Sequence, residues 1–445
     1  MAIKRTTRRN FFQELAIGGG LALAGCSESA NTGKTAAASN DKGPADITLR
    51  IGPVVADIAK EHSISTIGYN GQAPAPPIRM REGVPVTVDL FNDTDSPEFV
   101  HWHGLIVPAD VDGAPEEKSF VVPARDRLRY RLTPQPSGMR FVHSHVMAMS
   151  DLNRGTYTGQ FAVVYVEPKA NPGQYDQEIF LATHEWEPFF TSEEEMDDPD
   201  ITPAEKERKE REDRNSKPNG WEIGYQRFTI NGKAMGYGEP VRVKEGQRVL
   251  FHVVNASATE NIQLALPGHQ FQVVALDGNP VPRPQMVDVL DLGTAERISA
   301  VVEMKNPGVW AFGTPHDDDR KNGMGIVVEY ANRKGEPRWI KPQHKPWDYT
   351  MFGDTRPVPE PVETITLSFG KINGGTGGFN RWTINGKGYD EKDTPRALQK
   401  GKRYRFIFDN QTDDSHPVHL HRNSFELTNV YGKPTAGVMK DVVLV

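Results

Sequence analysis

Seven of the 13 histidines fall in three tight groups: His101-Trp102-His103, His143-Ser144-His145 and His416-Pro417-Val418-His419-Leu420-His421. On a β-strand, residues two apart point to the same face. Each His-X-His unit therefore aims two imidazoles at one spot. Imidazole suits copper, zinc, iron and nickel, and paired histidines with no carboxylate woven between them favour copper. The other six histidines (His62, His184, His252, His269, His316 and His344) stand alone and read as core or surface residues rather than ligands.

The pairs occupy equivalent positions of an internal repeat. Asn-Gly recurs at Asn70-Gly71, Asn231-Gly232 and Asn385-Gly386, at intervals of about one domain length. Each is followed by a second glycine, Gly83, Gly246 or Gly401, from which an alternating run leads in nine residues to Asn92, Asn255 or Asn410. Nine residues further on stand His101, Leu264 and His419, and two beyond those His103, Leu266 and His421. The second pair, His143 and His145, follows Gly138-Met139-Arg140-Phe141-Val142; in the middle repeat Gly308-Val309-Trp310-Ala311-Phe312 leads instead to Gly313 and Pro315. Ligands are thus expected from the first and third repeats, with the middle one burying the same face as hydrocarbon.

The elements that must position these side chains are strands. The chain has 41 Gly, 34 Pro and mostly short apolar runs, and period-2 strands bounded by Gly, Pro and Asn indicate all-β sandwiches. The expected units are residues 45–167, 168–340 and 341–445, with Pro357-Val358-Pro359-Glu360-Pro361 a stiff entry into the third. Residues 192–219 interrupt the second with a charged insert in which Thr202-Pro203-Ala204-Glu205 starts a helix; it reads as a solvated surface helix, or as a lid. A formal net charge of -7 gives no basic footprint, so nucleic acid is not an expected partner. Residues 1–26 read as an export signal: Thr7-Arg8-Arg9-Asn10-Phe11-Phe12 is of twin-arginine type, and Leu23-Ala24-Gly25-Cys26 resembles the bacterial lipobox. Residues 27–44 form a flexible tether. The expectation is a periplasmic or cell-surface protein that meets the membrane only through a lipid on Cys26. Since Cys26 is the one cysteine, these residues allow no internal disulfide and no thiolate ligand in the folded body.

The motifs His101-Trp102-His103-Gly104, His143-Ser144-His145 and His416-Pro417-Val418-His419-Leu420-His421 resemble three of the four ligand motifs of multicopper oxidases, over about residues 45–445. The resemblance implies three cupredoxin-like Greek-key domains, with His101 and His419 on the type 2 copper, His103, His143, His145 and His421 on the type 3 pair, and His416 on the type 1 copper. Asp112, in Val111-Asp112-Gly113, is similar to the acidic residue that passes protons to reduced oxygen; a turn aspartate before glycine is the plainer reading. The implied activity is one-electron oxidation of a phenol, an aromatic amine or cuprous ion, coupled to four-electron reduction of dioxygen to water. The family's fourth motif, His-Cys-His, is absent. The offset from His101 to His143, counted from His419, runs past Val445, and Glu98 and Ser144 stand where domain 1 would need histidine and cysteine to substitute. The expectation is a third domain that is truncated, and a chain that is inactive by itself. The alternatives are a copper-sequestering surface protein and a copper nitrite reductase, which usually has two such domains.

Overall fold

The computed structural model describes residues 43–170, 174–192, 220–373, 379–389 and 396–445. The export signal with Cys26, residues 27–42 of the tether and residues 193–219 of the charged insert lie outside the described residues.

Among the described residues the chain is built almost wholly of strands, with one short α-helix, Asp317–Lys321. The first unit is two four-stranded sheets. One runs in the order His62–Tyr69, Ile47–Ala59, Val86–Asn92, Arg127–Leu132; the other Ile78–Arg81, Phe161–Glu167, Gly138–Ser144, Val100–His103. Leu49, Ile51, Val88 and Leu90 from the first sheet meet Trp102, Val142 and Val164 from the second in one core. Alternation along Ile47–Ala59 sends Ile47, Leu49 and Ile51 inward and leaves Thr48 and Arg50 exposed, the pattern of a half-buried strand.

The repeat is visible in the hydrogen bonds. In each unit the opening strand pairs in parallel with the strand that ends at the repeat asparagine: Ile51 lies beside Asn92, Thr183 beside Asn255 and Phe369 beside Asn410. The amide Nδ2 of Asn92, Asn255 and Asn410 donates across the following turn, to Ser96, Glu260 and Asp414 carbonyls, while Oδ1 accepts the N–H two residues on. Asn70, Asn231 and Asn385 all take φ of 52–54°. Each bridges the opening strand, with Oδ1 accepting from Arg50, Ala182 and Ser368 N–H respectively. Asparagine serves in both places because its short amide mimics a backbone turn and tolerates left-handed φ.

The middle unit packs against both neighbours. Met139, Phe141, Phe161 and Val163 of the first unit share a core with Ala182, Val254 and Ala256. Leu427, Val438 and Val443 of the third join the large core of the second. Gly138 and Gly278 bring backbones together: a Cβ on Gly138 would sit 2.0 Å from the Gly278 carbonyl oxygen. Leu264 and Leu266 are buried, 0% and 1% exposed, within the second unit's core. In the third unit the sheet Arg381–Ile384, Glu363–Ile372, Tyr404–Asn410 leaves Trp382, Ile384 and Ile407 close to half exposed.

Candidate metal centre

Two strand pairs present the ligating faces. Val100–His103 runs antiparallel to Gly138–Ser144 with His101 opposite His143, and Pro417–His419 runs antiparallel to Val442–Leu444 with His419 opposite Val442. Six of the seven clustered histidines converge between the first and third units. The His101 ring centroid lies 4.1–5.5 Å from the other five. The six form three facing pairs: His101 Nε2 is 3.3 Å from His419 Nε2, His145 Nε2 is 3.3 Å from His421 Nε2, and His103 Nδ1 is 3.4 Å from His143 Nε2.

The His101–His419 contact is not a hydrogen bond, because both outer nitrogens face carbonyl oxygens and so hold the protons. His101 Nδ1 donates to the Asp112 carbonyl (2.8 Å), His419 Nδ1 to the Asp441 carbonyl (2.7 Å), His143 Nδ1 to the Ser144 carbonyl (2.8 Å) and His421 Nδ1 to Asp112 Oδ2 (2.8 Å). His103 is turned the other way, with Nε2 lying 3.2 Å from Asp441 Oδ1. His103 Nε2, for all its nearness to Asp441, and His145 Nδ1 both lack a hydrogen-bond partner of good geometry. Neutral imidazole with one nitrogen so engaged offers its lone pair at the other. Lone pairs facing at 3.3 Å repel unless a cation lies between them. Two nitrogens each about 2.0 Å from one ion subtend about 110° at that separation, a normal ligand angle. The residues present therefore fit metal ions bound by pairs of imidazoles.

Electrostatics favour the metal-ready form. Burial, then the neighbouring imidazoles His419 and His101, holds His103 and His143 well below the usual histidine range. Burial followed by His101 and His421 brings His145 down to about 4, and burial brings His419 down to about 3. At neutral pH these rings are unprotonated and can ligate. Burial would raise the Asp112 carboxyl, but hydrogen bonds from His101 and His421 outweigh it and hold it well below the usual carboxylate range.

Asp112 thus serves one histidine from each flanking unit, through its carbonyl and its carboxylate. Its neighbour Gly113 (φ 83°) leaves no room for a side chain, since a Cβ there would meet the Val100 carbonyl at 2.2 Å. His416 lies apart from the six. Its ring stacks on Phe369 (5.5 Å), meets Trp382 edge-on (5.2 Å), and its Nε2 is 2.7 Å from Thr412 Oγ1. Among the isolated histidines, His269 pairs with Tyr330 Oη and His252 with Ser299 Oγ.

Sequence reasoning missed Asp441, Arg297, Arg140 and the reason for Gly104. Asp441 is fully buried and supports His103 and His419; Arg297 and Arg140 donate to its carboxylate. A Cβ on Gly104 (φ 83°) would sit 2.6 Å from Asp441 Oδ2 and 2.7 Å from Arg297 Nη2. The available signal was charge beside an apolar strand: Lys440-Asp441 directly before Val442-Val443-Leu444.

Three family models, each described as multicopper oxidase, match residues 52–171, 200–331 and 365–445. The chain is similar to multicopper oxidase MmcO of Mycobacterium tuberculosis, 28% identical over 99% of this chain and 90% of that protein. It is also similar to copper resistance protein A of Pseudomonas syringae pv. tomato, 26% identical over 67% of this chain, and spans about half (52%) of that protein's length. Among solved structures, a laccase-like multicopper oxidase, CueO, from Ochrobactrum sp. aligns with a TM-score of 0.65 at 20% identity, covering 90% of this chain and 88% of that one. The blue copper oxidase of Nitrosomonas europaea aligns at 0.52 and 25% identity over 64% and 85%.

Proposed function

This chain belongs to the multicopper oxidase family, and from that premise we propose how its own residues divide the copper sites. The observation that carries the reading is the set of three facing nitrogen pairs. His101 and His419 hold the type 2 copper. His103 with His143, and His145 with His421, hold the two type 3 coppers. His416 belongs to the type 1 site. Bound copper supplies the one-electron steps by which four electrons and four protons turn dioxygen into two waters.

The protein's part is geometry and protons. Asp112 and Asp441 fix the ring orientation of His101, His103, His419 and His421. We assign Asp112 a second role, in proton supply. Its carboxylate, bridged to His421 and buried beside His101, takes up protons and hands them to the reacting oxygen. The reducing substrate is a phenol, an aromatic amine or cuprous ion, giving electrons near His416, where half-exposed Trp382 meets the ring. Export by the twin-arginine route with a lipid on Cys26 completes the proposal.

A second reading has one observation in its favour. A blue copper site needs a thiolate, and the single thiol here is Cys26, so the 445 residues by themselves suit a copper-sequestering protein that turns nothing over. Copper titration with electron paramagnetic resonance tests the shared core of both: His101→Gln and His419→Gln should each remove the type 2 signal. Unchanged spectra in both variants would refute the ligand assignment. Oxygen consumption by the copper-loaded chain, with a phenol, an aromatic amine or cuprous ion as donor, would refute the sequestering reading.

A further inference from the structure

The middle unit supplies no imidazole, yet one of its side chains reaches the support of the centre. Arg297, the first residue of strand Arg297–Glu303, is fully buried. Its Nη1 and Nη2 donate to Asp441 Oδ1 (2.7 Å) and Oδ2 (2.5 Å) as a parallel pair. Its other contacts hold it in place: Nη1 donates to the Ala295 carbonyl, Nη2 to the Asp277 carbonyl, and its N–H to Asp277 Oδ1. Asp277 Oδ2 in turn accepts the N–H groups of Asp441 and Val442, each at 3.3 Å. Around these lie Arg140, Glu296 and Lys440, all at most 3% exposed. The cluster balances three cations against three anions and draws on all three units.

We propose that Arg297 is a positioning residue for copper, so that the unit without ligands sets the affinity of the centre. By clamping the Asp441 carboxylate it fixes the acceptor facing His103 Nε2 and the backbone carbonyl that takes the His419 Nδ1 proton. His103 is the ring that presents Nδ1 inward, and its Nε2 lies 3.2 Å from that carboxylate. A planar guanidinium fork sets the plane of a carboxylate, whereas an ammonium acts as a point charge and does not. Without the fork, Asp441 is free to turn, and the His103 ring loses the partner that keeps Nδ1, rather than carbon, aimed at the metal.

The inference rests on copper being held by the six histidines. The test compares Cu(II) affinity, by competition with a chelator, and the hyperfine splitting of the type 2 signal in the full chain and three variants. Arg297→Met removes the clamp; Arg297→Lys keeps its charge and carries the test if the methionine variant does not fold. Lys440→Met disturbs the same buried cluster through Asp277 and Glu296, the carboxylates its ammonium pairs with. The Arg297 variants should lose about 10- to 100-fold in affinity, as outer-shell changes do, with altered hyperfine splitting. Lys440→Met should keep the wild-type affinity and spectrum even where its thermal midpoint falls as far. Wild-type binding in Arg297→Lys, or an equal loss in Lys440→Met, overturns the inference while the His101→Gln result still stands for the ligand assignment. Wild-type binding in His101→Gln overturns that assignment and this inference with it.

Discussion

Acid should unfold the copper-free protein through its own ligands, and the size of the effect follows from two of them. His145 and His419 are held at about 4 and about 3, against about 6.5 for a histidine in the unfolded chain. Their folded values are depressed, so below pH 6.5 the unfolded state binds more protons and stability falls as pH falls. The loss begins near pH 6.5 and is complete only below the folded values. At pH 5 each group costs about 2 kcal/mol relative to pH 7.5, from about 1.4 kcal/mol per pH unit of unequal protonation. Together the two amount to about 4 kcal/mol, a large share of the typical net stability of a domain. The assay is urea unfolding of the metal-stripped chain, followed by tryptophan fluorescence at pH 7.5 and 5.0. A double variant, His145→Gln with His419→Gln, removes both titrations. Its stability should drop between the two pH values by about 4 kcal/mol less than that of the parent. Equal drops in parent and variant would refute the argument that buried, neutral ligands carry this pH dependence. Copper binds the folded state and should move the acid transition of the parent to lower pH by more than that of the variant, which keeps the His103–His143 pair.

Leu264→Ala should destabilise the chain by roughly 2–5 kcal/mol, as a core truncation does, and leave the copper content per folded molecule unchanged. Copper lost at unchanged stability would show that the repeat had been aligned wrongly. Gly104→Ala forces a Cβ onto Asp441 and Arg297 at a left-handed φ, so it should lower the thermal midpoint and weaken Cu(II) binding together; calorimetry and chelator competition read the two. His416→Ala should leave the type 2 resonance and the copper held by the other six histidines as they are, since His416 contacts Phe369, Trp382 and Thr412. Loss of the type 2 signal in that variant would put His416 in the wrong site.

What sequence reveals about this molecule is what strand periodicity and turn chemistry encode locally. The histidine pairs are legible because side chains two apart share a face, and the Asn92, Asn255 and Asn410 turns are legible because the same amide makes the same bonds three times. The burial of Leu264 and Leu266 follows from counting along that repeat. The support of the centre is not local. Asp441 and Arg297 are 144 residues apart in the chain, and neither has a motif to mark it. Nor does sequence tell which nitrogen of His103 faces inward, because a ring is turned by the side on which its carboxylate lies. Gly104 shows the same limit: its type hints at a turn, while the reason for its size lies in a carboxylate and a guanidinium brought from the other two units.

The close approach of Gly138 and Gly278 bears on how such proteins can be recombined. The two glycines meet across the boundary of the first and second units, where a Cβ on Gly278 would sit 2.5 Å from the Met139 carbonyl oxygen. A chimera that imports its middle segment from a relative inherits a steric lock as well as a core, and the lock closes only if both halves lack a side chain at that point. Crossover points placed between residues 138 and 278 therefore separate two positions that must change together. Libraries shuffled there should be rich in misfolded members unless glycine is kept on both sides of the seam.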